Sequence, residues 1–214
     1  MTAIIISLAV SLLILSGLSS YAQGQKDKIQ QVEQNLIPNI AINGAPALNL
    51  KDRMEFYHIP GLSIAVISNY KIAWAKGYGV ADDSLKTPVT DRTLFQAGSI
   101  SKTLNAMAAL KLAQDDRLNL NADINNYLTS WKFPYDSVSK GKKITMLNLL
   151  THTAGINIHG FLGYKAGAPI PNIQQMLKGE NPANSARIRS LFEPGKTFQY
   201  SGGGVLVSQM CIMD

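Results

Sequence analysis

Residues 95–102 of the chain have the sequence FQAGSISK, which contains a Ser-x-x-Lys pair formed by Ser99 and Lys102. From Ser99 onward, apolar residues recur at helical spacing as far as the polar residues 115–117, so the pattern predicts a helix that begins at this pair. One side of that helix carries Ile100, Leu104, Met107, Ala108 and Leu112. The i,i+3 spacing places Ser99 and Lys102 on the same face, one turn apart.

This pair has the residue types that nucleophilic catalysis requires. A serine hydroxyl is a weak nucleophile that needs a base, and a lysine whose pKa is lowered by burial can be that base. A helix N-terminus adds N–H groups and a positive dipole, which favour the negative charge that develops in acyl transfer. Taken alone, the pair also fits an ordinary helix start, because Ser is a common N-cap.

Two strands are predicted upstream of this pair. Residues 62–67 are rich in β-branched side chains, and residues 71–80 form the hairpin partner, in which Gly77 and Gly79 indicate a bulge or a close backbone approach. Residues 82–91 are predicted to be a polar crossing loop. Because an isolated hairpin is marginal in water, we expect the sheet to need strands that this chain does not contain.

Helices are predicted before and after the two strands in the chain. A long surface loop is predicted over residues 155–172. Thr145 is the predicted N-cap of a helix that ends at residue 150, and Gly155 follows it. The predicted helices lie at residues 29–37, 50–57, 121–128 (capped by Asn121), 145–150, 173–177 and 205–213.

Five blocks of the chain, taken in order, resemble the serine β-lactamase and penicillin-binding-protein superfamily, in particular its branch of class C β-lactamases, D-alanyl-D-alanine carboxypeptidases and esterases. Five ordered blocks are far more specific than a single Ser-x-x-Lys match. The blocks are residues 59–66 and 74–81, similar to the first two strands, residues 93–102, similar to the nucleophile block, residues 149–156, and residues 194–204, similar to the second catalytic block.

The resemblance implies roles for individual residues. Ser99 is expected to be the acylated nucleophile, Lys102 to share its proton, and Tyr200 to be a second base near both. The backbone N–H of Ser99 is expected to form half of an oxyanion hole. Ser201 and Gly202 are the expected substrate-binding positions. We interpret His152, at the end of a predicted helix, as structural.

The chain departs from the family pattern in two ways. Many members have Tyr-x-Asn in the second block, whereas this chain has Gly202 at the third position, which tilts the expected substrate away from that of a dedicated β-lactamase. The second departure is that the third family motif is absent from this sequence. In the family this motif is a Lys or His followed by Thr or Ser and then Gly, on a later strand that also supplies the second oxyanion N–H. Residues 152–155 are not that motif because they precede the tyrosine block. We therefore expect a C-terminally truncated fragment.

The first 22 residues predict export. Residues 4–18 form an apolar run too short for a typical membrane span, followed by the small residues Ser20 and Ala22 at positions that a signal peptidase reads. We expect a signal peptide over residues 1–22 and a periplasmic or secreted mature chain, or a membrane-anchored one if the signal is not cleaved. The remaining predicted divisions are an N-terminal part of a sheet domain, residues 23–89, and a mostly helical domain, residues 90–214.

Composition restricts the cofactors and partners. The chain has 214 residues and a net charge of +6, and its 46% of hydrophobic residues is enough for a core. Its single cysteine excludes an internal disulfide framework. The spacing of its three histidines fits no metal motif, and no nucleic-acid-binding motif is found. We expect a small-molecule or peptide substrate, no cofactor, no nucleic acid and no stable membrane span after cleavage; the sequence does not predict an oligomeric state.

Together these patterns predict an α/β (α+β) fold of the β-lactamase/transpeptidase type. The predicted function is that of an exported serine hydrolase that forms an acyl-enzyme with a β-lactam, a D-amino-acid peptide or a small ester. Two alternatives stay open, namely a module that binds or senses peptidoglycan or β-lactams without turnover, and an inactive truncated product.

Overall fold

The computed structural model describes residues 23–40 and 42–214. The described residues divide into two compact units, one that ends at Phe95 and one that extends from Gln96 to Asp214. The predicted division after residue 89 stays a prediction, and the predicted signal peptide lies outside the described residues. Within those residues, no helix combines the length and the apolar character that crossing a bilayer requires.

The first unit contains a small antiparallel sheet with the strand order β1-β2-β3. Trp74 and Val89 supply buried side chains to this unit. Its elements are α1 (23–34), α2 (Leu50–Phe56), β1 (Gly61–Ser68), β2 (Lys71–Asp82) and β3 (Thr87–Pro88).

The hairpin prediction is confirmed, including the role of its glycines. A Cβ atom at Gly77 would lie 2.3 Å from the carbonyl oxygen of Val89, and one at Gly79 would lie 2.1 Å from that of Pro60. No side chain fits at these distances, so both glycines are required by a close backbone approach. The predicted crossing loop over residues 82–91 needs correction, because Thr87 and Pro88 within it pair with β2 as a third strand.

The named elements of the second unit are helices and helical turns, and irregular segments make up more than half of its residues. It contains three short 3₁₀ turns, Gly98–Ile100, Ile124–Asn126 and Ser137–Ser139. Its helices are α3 (Ser101–Gln114), α4 (Met146–Leu150), α5 (Ile173–Lys178) and α6 (Gly202–Met213). The helices α3, α4 and α5 all contact α6, whose Val207 is completely buried. This helix therefore forms the centre of the unit.

Two helix predictions need correction. The predicted helix over 121–128 is only the 3₁₀ turn Ile124–Asn126, which is capped by Asp123 rather than Asn121. The predicted apolar side of α3 is largely uncovered, because Ile100, Leu104 and Met107 are 74%, 67% and 60% exposed. The helix is anchored instead through the buried Ala109, with Leu112 and Ala113 packed against the same core.

Candidate active site

Ser99 lies in the 3₁₀ turn Gly98–Ile100, immediately before α3. The predicted helix start is therefore displaced by two residues, since α3 begins at Ser101. Gly98 has a positive φ of 51°, a conformation that glycine adopts without strain. This turn places the serine side chain ahead of the helix rather than within its first turn.

Lys102 lies in the first turn of α3, and its Nζ donates a hydrogen bond of 3.0 Å to Ser99 Oγ. The i,i+3 spacing predicted from the sequence therefore brings the two side chains into direct contact. A second contact comes from Tyr200, whose hydroxyl donates to the same Oγ at 2.8 Å although the two residues are 101 positions apart in the chain. All three predicted catalytic side chains thus meet at one oxygen atom.

The environment of Tyr200 favours its phenolate. Lys102 and Ser99, in that order, lower the pKa of Tyr200 through hydrogen bonds, and they outweigh the opposing effect of desolvation. Lys102 Nζ also lies 5.0 Å from the centre of the tyrosine ring. A cation at that distance stabilises a phenolate over a neutral phenol.

Two histidines flank the ring of Tyr200. The ring centroids of His152 and His159 lie 4.6 Å and 5.0 Å from that of Tyr200. His152 was predicted to be structural, and no role was predicted for His159. The position of His152 just after a helix end was the one local indication of a role for it. That position could not predict the contact with Tyr200, which lies 48 positions later in the chain.

The two predicted substrate-binding positions differ in their surroundings. Gly202 lines the cavity described below, and its N–H donates to the carbonyl oxygen of His159 at 2.9 Å. Ser201 is only 3% exposed. Its Oγ accepts from the N–H of Gly204 and donates to the carbonyl oxygen of Asn157, so this hydroxyl caps α6. Both substrate-binding assignments stay predictions.

A cavity of about 1070 Å³ opens around these groups within the second unit. Its polar lining residues include Ser99, Lys102, Asn105, Tyr200 and Gln209. Its apolar lining residues include Phe161, Met176, Val205 and Leu206. The candidate nucleophile therefore lies in a cleft that has both polar and apolar surface, a composition typical of small-molecule sites.

Among residues 23–40 and 42–214, no group of three or more His, Cys, Asp or Glu side chains is arranged to hold a metal ion. Cys211 is buried, and burial raises the pKa of its thiol to about 12. The neutral thiol is a poor nucleophile and a poor metal ligand.

The sequence model of one protein family, described as Beta-lactamase, matches residues 47–211 of the chain. This match includes part of the first unit, nearly all of the second and all three of the residues that meet at Ser99 Oγ. The chain belongs to the Beta-lactamase family. The family resemblance inferred from the five sequence blocks is thereby confirmed.

Parts of several known proteins are similar to this chain. It is 38% identical over 99 residues to protein flp of Staphylococcus aureus (strain N315), a match that covers 46% of this chain and 20% of that protein. A penicillin-binding protein homologue from Pyrococcus abyssi, octameric in its structure, superposes with a TM-score of 0.60 at 24% identity, over 76% of this chain and 36% of the other.

A β-lactamase/D-alanine carboxypeptidase from Pseudomonas syringae has 27% identity and a TM-score of 0.51, over 76% of this chain and 42% of that one. These superpositions confirm the predicted fold class of this Beta-lactamase family chain. The matched part spans about a fifth of the curated relative and less than half of each of the two solved structures.

Proposed function

We propose that this chain carries the nucleophile centre of a serine hydrolase that acts through an acyl-enzyme. One observation supports this proposal above all others: Ser99 Oγ receives hydrogen bonds from both Lys102 Nζ, at 3.0 Å, and the Tyr200 hydroxyl, at 2.8 Å. A serine contacted by two groups that can exchange a proton is the arrangement that activation of a hydroxyl nucleophile requires.

In the proposed acylation step, Ser99 Oγ attacks the carbonyl carbon of the substrate and forms a C–O bond. The serine proton passes to the Tyr200 phenolate, which the Lys102 ammonium stabilises. The bond from the carbonyl carbon to the leaving group then breaks, and the leaving atom takes the proton from Tyr200. The backbone N–H of Ser99 is proposed to stabilise the developing oxyanion.

In the proposed deacylation step, water attacks the acyl-enzyme ester, and Tyr200 again accepts a proton. The C–O bond to Ser99 breaks, Ser99 Oγ recovers a proton, and the free acid leaves. The same base thus works in both directions, as microscopic reversibility requires.

The proposed substrates are β-lactams, D-amino-acid peptides and small esters. The name of the Pseudomonas syringae relative, a β-lactamase/D-alanine carboxypeptidase, supports the first two classes. Gly202 supports the ester class, because it offers no side-chain amide to a β-lactam or peptide substrate. Export to the periplasm or medium is part of the proposal and rests on the apolar run at residues 4–18.

Covalent labelling tests the nucleophile directly. The protein is incubated with a fluorescent penicillin and with a fluorescent activated ester, and the labelled peptide is identified by mass spectrometry. We expect the label on Ser99 and its loss in Ser99→Ala, while Thr103→Ala, an exposed change on α3, labels normally. Undiminished labelling of Ser99→Ala would overturn the proposal.

Turnover separates the hydrolase from a binding module. We expect repeated hydrolysis of nitrocefin or of a p-nitrophenyl ester, with product in excess of protein. One equivalent of label that persists without further product would instead assign the chain to binding or sensing.

A further inference from the structure

His152 holds the residues around Tyr200 through its backbone and its side chain together. Its carbonyl oxygen accepts the N–H of Gln199 at 2.8 Å, and its Nδ1 accepts the N–H of Ser201 at 3.2 Å. Its ring lies 4.6 Å from the ring of Tyr200, at an angle of 38°. A single residue thus contacts Tyr200 and both of its neighbours in the chain.

The backbone of His152 has the conformation that these contacts need. Its φ is 58°, in the left-handed region, directly after Thr151 ends α4. Most residues are strained there, whereas glycine and asparagine are tolerated. This turn presents the carbonyl oxygen and Nδ1 of His152 to the same extended segment, which leads into α6.

The hydrogen bonds also fix the state of the imidazole. Because Nδ1 accepts from a backbone N–H, the ring is neutral and carries its proton on Nε2. Burial first, and then the charge of Lys102, lower the pKa of His152 below its ordinary value, which favours this neutral form. Since Nδ1 has its lone pair in the bond to Ser201, the imidazole is not placed to accept a proton from Tyr200 through that nitrogen.

We propose that His152 is the positioning residue that keeps the Tyr200 hydroxyl at Ser99 Oγ. This inference rests on the proposed function, because Tyr200 is a base only within that mechanism. His152 acts through Tyr200 and does not touch the substrate. Protonation of Nδ1 would place an N–H against the N–H of Ser201, break this bond and release the segment that carries Tyr200.

The groups that face His152 come from two elements. Lys102 comes from α3, and Tyr200 comes from the segment ahead of α6, with His159 packed on Tyr200 as well. Any pH dependence assigned to His152 must therefore be separated from that of these three groups. Substitutions at residue 152 accomplish this separation, because they leave Lys102, Tyr200 and His159 in place.

Two variants separate the side-chain contacts from the backbone contact. Both His152→Gly and His152→Asn tolerate the positive φ and keep the carbonyl bond to Gln199. Glycine removes the Nδ1 acceptor and the ring, whereas the Oδ1 of asparagine lies as many bonds from Cα as Nδ1 does and can accept from Ser201. The pair therefore tests the hydrogen bond at constant backbone preference.

The first readout needs no reaction. The pKa of Tyr200 is followed by NMR with ¹³Cζ-labelled tyrosine, and its signal is assigned by its loss in Tyr200→Phe. We expect the pKa of Tyr200 to rise in His152→Gly toward the ordinary tyrosine value of about 10, because the Tyr200 ring moves away from Lys102. His152→Asn should keep a value near that of the unmodified protein. An unchanged Tyr200 pKa in folded His152→Gly contradicts the proposal.

The second readout is the acylation rate of Ser99. We expect His152→Gly to lower the rate about 10- to 100-fold, in line with the effect of a small misplacement, and His152→Asn to restore it to within about threefold. In a Tyr200→Phe background, His152→Gly should have no further effect, because its partner is already lost. The same loss in both backgrounds would reduce His152 to a general structural role.

A pH profile keeps the proposal testable if His152→Gly does not fold. Below the pKa of His152, the acylation rate of the unmodified protein should fall more steeply with decreasing pH than that of His152→Asn. Identical profiles overturn the proposal. If Ser99→Ala labels normally, the proposed function fails, but the NMR titration still shows whether His152 positions Tyr200.

Discussion

The carbonyl oxygen of His159 accepts the N–H of Gly202 at 2.9 Å, and this bond draws the loop that contains His159 against the first turn of α6. A Cβ atom at Gly202 would lie 3.0 Å from the same oxygen, and one at Gly203 would lie 2.6 Å from the carbonyl oxygen of Asn157. A Cβ atom at Gly204 would meet nothing closer than Ser201 Oγ at 3.5 Å.

These distances predict a graded response to alanine at the three glycines. Gly203→Ala should destabilise the protein by about 1–3 kcal/mol, because backbone must move, and Gly202→Ala should have a smaller effect of the same sign. Gly204→Ala should be neutral or stabilising by up to about 1 kcal/mol, since alanine favours helix without a clash. Urea unfolding measures all three, and a loss at Gly204→Ala equal to that at Gly203→Ala would contradict the packing argument.

Replacement of Lys102 should change the pH dependence of the reaction as well as its rate. Lys102 is the main cause of the lowered pKa of Tyr200. In Lys102→Met that pKa should rise toward about 10, so the pH at which acylation reaches half its maximum should move upward. The maximal rate should also fall, by up to about 10²–10⁴, because proton transfer to Tyr200 depends on the Lys102 cation.

The control for this change lies on the same helix. Lys111 pairs with Asp115 near the end of α3, and Lys111→Met should leave both the rate and the pH profile unchanged. Stopped-flow acylation across the alkaline pH range measures both variants. A profile of Lys102→Met that is lower at every pH but not displaced would show that Lys102 does not tune Tyr200.

A partly buried hydrogen bond joins α3 and α6, two helices that line the cavity. The side-chain amide of Asn105 on α3 donates to Ser208 Oγ on α6 at 2.8 Å, and Ser208 is 0% exposed. Each single alanine variant should lose about 0.5–1.5 kcal/mol, because this bond is lost while Ser208 Oγ keeps its contact with Met146 Sδ at 3.2 Å.

The double variant Asn105→Ala/Ser208→Ala should lose less than the sum of the two single losses, by about 1 kcal/mol. Chemical unfolding of the four proteins gives this coupling energy. Purely additive losses would mean that the bond contributes nothing of its own to the contact between α3 and α6.

The carboxylate of Asp214 is expected to make stability depend on acid. It accepts from the N–H groups of Thr129 and Ser130, at 2.8 and 3.1 Å, and from Ser130 Oγ. Partial burial raises the pKa of Asp214, but these hydrogen bonds outweigh burial and lower it overall. A carboxyl with a lowered pKa stabilises the folded state above its unfolded pKa and loses this effect as the pH falls through the folded one.

The unmodified protein should therefore exceed Asp214→Asn in free energy of unfolding at pH 7, by up to about 1 kcal/mol after allowance for solvent screening. The difference should disappear as the pH falls from about 5 to about 2. Asp91→Asn, an exposed change in the first unit, serves as the control. A difference that is constant over this pH range would contradict the assignment.

The contacts among Ser99, Lys102 and Tyr200 were predicted mainly from the family resemblance of the sequence. The i,i+3 spacing alone was sufficient for the contact between Ser99 and Lys102, since local geometry determines it. The contact with Tyr200 spans 101 positions, and no local pattern determines such a distance. Ordered blocks from related proteins supplied that information.

Local patterns do not indicate what surrounds a side chain in the folded protein. Periodicity identified an apolar side of α3 but not what covers it, and Ile100, Leu104 and Met107 are exposed. Ser201 adjoins the candidate base in the sequence, yet its hydroxyl is occupied in capping α6. His152 was predicted to be structural from its position near a helix end, but that position does not indicate its contacts with Gln199 and Ser201, which belong to a distant segment.

The separation of Ser99 from Tyr200 along the chain also has a consequence in time. At a synthesis rate of about 5–20 residues per second, Tyr200 leaves the ribosome about 5–20 s after Ser99 and Lys102. Throughout that interval the serine lacks the contact that Tyr200 makes with it at 2.8 Å. Under the proposed function, a nascent chain would therefore lack its base, and acylation of Ser99 would begin only when the segment ahead of α6 reaches its final place.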